Sequence, residues 1–112
     1  MSRRSKSDEK RTAHALDALP FVQSHANDRR DFWSVRPTGD YSLDCGIGQV
    51  YGEALVRAMR EHGKDILNFT VLDMIDHADH KRDRGLIVGL LSALATALTE
   101  QQKPRLAYSK VA

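Results

Sequence analysis

A chain of 112 residues, 41% apolar and 29% charged, has room for one domain and one core. Its single cysteine, Cys45, excludes an intramolecular disulfide, and with no apolar leader at the start the expected compartment is a reducing cytoplasm. The net charge of +2 splits into +3 over residues 1–11 and −1 over the rest, which counts against a basic domain dedicated to nucleic acid.

In chain order, residues 1–11 have no large apolar side chain beyond Met1 and read as a mobile basic tail. The single folded domain is expected over residues 12–102. From Thr12 to Asn27 the apolar spacing of Ala15, Leu16, Leu19 and Val22 predicts a short helix, kinked or restarted at Pro20, because proline lacks the backbone donor and clashes with the preceding turn. Asp28 to Asp31 form a charged connector. Phe32, Trp33 and Val35 are too short a run for a secure strand, and Trp33 is expected to plug the edge of the core.

Pro37-Thr38-Gly39 is turn chemistry, and Asp40 after it is placed to cap a helix. Leu43, Ile47, Val50, Tyr51, Ala54, Leu55, Ala58 and Met59 then hold helical spacing, with Gly63 as the stop. Gly46, Gly48 and Gly52 inside this helix imply either loose first turns or close packing. A short helix follows over about 66–78, and a polar run from Asp76 to Arg84 leads to the most apolar stretch, Gly85 to Thr99. There Ile87, Leu90, Leu91, Leu94 and Leu98 form one stripe, while Gly89, Ala93 and Ala97 leave a shallow strip for close approach of another helix or a second copy. Residues 103–112 read as a tail. The predicted fold is all-α, with a trihelical, helix-turn-helix-like core; the apolar stretch is too short to span a bilayer, so no membrane partner is expected.

No catalytic constellation is legible, so the chain reads as a non-enzyme without cofactor. Asp73, Asp76, His77, Asp79, His80 and Asp83 are ligand-type side chains, but they lack a metal-binding spacing and read as a solvated helix end, so no metal is assigned. Cys45 has no nucleophile signature and reads as a structural thiol. Gly46-Ile47-Gly48 lacks the strand and the spacing of a phosphate loop. The chemistry that remains is an over-apolar helix whose outer positions, Val88, Leu91 and Ala95, with Tyr51 and Leu55 nearby, are the candidate contacts for a protein partner. The alternative is a small helix-turn-helix-like DNA-binding regulator using Arg57, Arg60, Lys64, Lys81, Arg82 and Arg84 on phosphate, although these cations are interleaved with acids.

Phe32-Trp33-x-Val35-x-Pro37-Thr38-Gly39-Asp40-Tyr41, Asp44-Cys45-x-x-Gly48-x-x-Tyr51, Asp73-Met74-Ile75 and Val88-Gly89-Leu90-Leu91 together resemble small proteins encoded on conjugative elements of rhizobia and related α-proteobacteria, the QseM-type quorum-sensing antiactivators. The resemblance covers about residues 32–98. It implies a helical protein that binds a transcriptional activator and keeps it from switching on conjugative-transfer genes.

Overall fold

The computed structural model describes the backbone of residues 13–111 and the side chains of residues 13–100. The expected tail at 1–11 lies outside the described residues. The chain is mostly helical. Helix α1 is described over residues 13–17; β1 (Gln23–Ser24) and β2 (Arg30–Asp31) follow, then α2 (Tyr41–His62), α3 (Asp65–His77) and α4 (Arg84–Val111).

The helix expected across Thr12 to Asn27 is cut short, and an antiparallel hairpin pairs Gln23 with Asp31 and Ser24 with Arg30 where helix and charged connector were expected. The cause is local. Pro20 follows directly on the turn that closes α1, and the chain leaves the helix there so that Leu19 and Phe21 both reach the core. Asn27 and Asp28 take φ of 65° and 57°, a left-handed turn that these two residue types tolerate. Asp17 holds the hairpin from α1, accepting from Ser24 Oγ (2.5 Å) and Arg30 Nε (2.8 Å), and His25 meets Asp31 across it at 2.7 Å. An all-α description therefore omits this small sheet.

The helix boundaries follow capping chemistry. Asp40 accepts a hydrogen bond from Leu43 N (2.9 Å) at the start of α2, and Gly63, at φ 107°, ends it with its N–H on the Met59 carbonyl (2.8 Å). Replacing the cap, Asp40→Ala, is expected to cost about 1 kcal/mol, read as a lower denaturant midpoint at unchanged slope. The helical backbone of α4 continues to Val111, past the tail expected from residue 103. The apolar stripe ends near Thr99, and the helical backbone runs on through Pro104, a residue that removes one backbone donor from the helix interior.

α2 and α4 are the close pair, and they run parallel. Gly85 lies against Tyr41 and Asp44, Gly89 against Cys45 and Gln49, and Gly52 against Leu90 and Ala93, so residue numbers rise together along the contact. A Cβ at Gly48 would collide with the Leu86 carbonyl, and one at Gly89 with the Cys45 carbonyl. These glycines let two backbones touch. The buried face of α4 is therefore Gly85, Leu86, Gly89, Leu90 and Ala93, turned by roughly a third of a turn from the expected leucine stripe, at 3.6 residues per turn. Leu91 and Leu98, two members of that stripe, are left exposed.

Leu16, Leu19, Phe21 and Trp33 from the N-terminal arm close the core over Leu55, Ala58, Ile66, Leu86 and Leu90. Trp33 is a core residue, with its ring 6.4 Å from Phe21. α3 packs on α2 and on the arm, where Phe69 meets Phe32 at 5.4 Å and Asp73 accepts from Phe32 N at 2.7 Å. It barely touches α4.

Candidate functional surfaces

Because α3 and α4 diverge, a groove of 310 Å³ stays open between them above the C-terminal half of α2. Val56 and Met59 form its floor, Leu67 one wall, and Leu94, Ala97 and Leu98 the other; Arg60 and Lys64 stand on the rim. Leu98 is 60% exposed, so burying it under a partner would be favourable. Along α4 the exposed positions Leu91 (54%), Ala95 and Val88 extend the apolar path away from the groove, and on α3 Val71 and Ile75 follow Leu67 at spacings of four. Cations on the rim of an apolar trough suit an amphipathic helix with acidic flanks.

The residues expected to meet a partner fall into two sets. Val88, Leu91 and Ala95 are exposed on one face of α4. Leu55 is fully buried and Tyr51 half-buried with its ring 5.7 Å from Phe21, so Leu55 is a core residue and not a contact. α2 turns these two positions toward the N-terminal arm, which lay too far away in sequence to be seen covering them. Groove residues Met59, Leu67 and Leu98 were missed as a set. The signal for them is that α3 and the outer side of α4 both carry more apolar positions than one contact face can absorb.

The six cations proposed for DNA are also divided. Arg60 and Lys64 border the groove, and Arg57 and Arg60 line a neighbouring cleft between α2 and α4 that also holds Glu53 and Glu100. Lys81, Arg82 and Arg84 lie instead at the opposite end of the helix pair, where they join Arg36 around a separate cleft of 690 Å³. α2, 22 residues long, separates the two groups.

Asp79 and Asp83 of the acidic run have structural roles. Asp79 Oδ1 accepts from the backbone N–H groups of Lys81 (3.1 Å) and Arg82 (3.2 Å). Asp83 is fully buried just before α4. Its carboxylate receives Trp33 Nε1 (3.2 Å), Asp79 N (3.2 Å) and Arg82 Nε (2.9 Å), and its carbonyl accepts from Ile87 N (3.0 Å). Burial alone would raise its pKa, but the hydrogen bonds from Arg82, Trp33 and Asp79 outweigh it and hold the carboxyl below its usual value. Asp44, buried in α2, accepts from Thr38 N (2.9 Å) and Thr38 Oγ1 (2.7 Å), and these bonds likewise lower its pKa. Among the described residues no group of three His, Cys, Asp or Glu is placed to hold a metal ion.

These features define a small, mostly helical chain with an open apolar groove at one end and a basic cleft at the other. No helix among the described residues is long and apolar enough to cross a membrane. Compared with models of known families, with curated proteins and with solved structures, the chain matches none.

Proposed function

We propose that the chain is a regulatory binding protein that captures an amphipathic helix of a transcriptional activator and holds that activator inactive. The observation that carries this reading is the open groove of Val56, Met59, Leu67, Leu94 and Leu98 with Arg60 and Lys64 on its rim. Apolar side chains on the partner's helix would fill the trough, and its acidic residues would meet the two cations, giving register more than affinity. Leu91, Ala95 and Val88 lengthen the contact along α4. The sequence resemblance to QseM-type antiactivators suggests the class of partner, and the apolar contact suggests sequestration.

Leu98→Glu is expected to weaken partner binding by at least tenfold and to release transcription from an activator-dependent reporter, with the far-UV circular dichroism unchanged. Leu91→Glu should act in the same direction more weakly. A full-strength complex with Leu98→Glu would remove the groove from the interface; loss of helical signal would show that Leu98 belongs to the core.

The DNA-binding reading ranks second. It needs α3 and α4 to present a recognition helix backed by phosphate contacts, whereas the dominant packing is α2 on α4 and the six cations are split between opposite ends. Its signature would be binding that falls steeply as salt rises.

A further inference from the structure

The cleft at the N-terminal end of the parallel helices is not used by the proposed partner, and its chemistry is different. Arg36, Lys81, Arg82 and Arg84 line it, with Asp44 the one carboxylate in the lining. Two segments 45 residues apart in sequence bring the cations together, and each is fastened from beneath. Asp44 grips Thr38 by both its N–H and its hydroxyl, fixing the strap that carries Arg36. Asp79 and Asp83 hold the loop that carries Lys81 and Arg82.

The charges are only partly compensated. Arg82 is spent on Asp83, and Arg84 sits over the Tyr41 ring with its guanidinium carbon 5.9 Å from the centroid. Neither Arg36 nor Lys81 has a carboxylate partner among the described residues. Like charges held around one concavity repel, and a compact anion relieves that repulsion. We propose that this cleft binds a small molecule bearing a diphosphate group, with Arg36, Lys81 and Arg84 on the phosphate oxygens and the Thr38–Gly39 strap as its rim.

A compact ligand fits better than a nucleic-acid backbone. A duplex is tracked by a run of cations along a face, but the next group, Arg57, Arg60 and Lys64, lies beyond most of α2, about 33 Å long at 1.5 Å per residue. Between them the outer faces of the two helices carry Leu43, Val50, Val88 and Leu91. The cations form a cluster, not a stripe.

The test titrates the full chain with inorganic pyrophosphate in magnesium-free buffer, by calorimetry and by amide chemical shifts. The expected result is saturable one-to-one binding with the largest shifts at Thr38, Gly39 and Gly85, weakened at least tenfold in Arg36→Ala/Lys81→Ala and unchanged in Arg57→Ala. Among the described residues neither Arg36 nor Lys81 makes a side-chain hydrogen bond or ion pair, so the double variant should fold; the wild-type shift map gives a second reading if it does not. Absence of saturable binding overturns the proposal, as does equal loss in Arg57→Ala or shifts spread over both ends. Duplex DNA binding that needs Arg36 and Arg57 alike would replace the cleft by an extended nucleic-acid surface.

Discussion

Gly89→Val is expected to destabilise the chain by about 3 kcal/mol, lowering its thermal midpoint by on the order of 15 °C. The glycine lies where α4 touches the backbone of α2, and a Cβ there has nowhere to go, because its nearest neighbour is the Cys45 carbonyl and not the end of a flexible side chain. The helices must separate, and the contacts of Leu86 and Leu90 are lost with them. Against a total stability of roughly 5–15 kcal/mol this is a large fraction. Gly46→Ala is the internal control. Nothing lies within 4 Å of a Cβ there, so the alanine should be neutral or slightly stabilising through helix propensity. Equal midpoints for Gly89→Val and Gly46→Ala, measured by circular dichroism, would contradict the parallel close pair.

Asp83→Ala should cost a further large amount, about 3 kcal/mol, because the Trp33 indole N–H and the Asp79 N–H lose their shared acceptor and Arg82 loses its partner. The pH dependence carries the same information. A carboxyl whose folded pKa is depressed contributes stability that is fully present above its unfolded pKa, about 3.9, and is lost as pH falls through the folded value. Asp83, Asp44, Asp17 and Asp31 all have lowered pKa values, so the wild-type chain should be insensitive to these groups from pH 7 to about 5 and lose stability below it. Asp83→Ala should show a shallower acid limb in urea midpoints taken between about pH 5 and 2. An unchanged limb would mean that Asp83 is not held as a carboxylate.

Short-range signals were legible in the sequence where they involve one element. Asp40 and Gly63 bracket α2, the apolar spacing of 66–75 gives α3, and Trp33 falls in the core as expected. The hairpin was not legible. Two strands of two residues carry no periodicity, and what holds them is Asp17, a side chain of the preceding helix, together with the left-handed turn at Asn27 and Asp28. In α4 the strip of Gly89 and Ala93 expected to admit another helix does meet α2, whereas the largest apolar residues suggested the wrong buried face, and Leu91 and Leu98 are turned outward. Small residues decided the geometry, and large ones were left over. The groove and the basic cleft are both consequences of parallel packing, which brings Arg36 to Lys81 and opens a gap beside Leu98; no pattern within one helix encodes that.

The most direct measurement of the proposed function is a nuclease-treated affinity capture from the native cell extract, with tagged wild-type chain and tagged Leu98→Glu side by side, washed at moderate and at high salt. A transcriptional activator should stay on the wild-type chain through both washes and be missing from Leu98→Glu. Identical capture by the two chains, or retention that disappears with nuclease and salt, would contradict the proposed function.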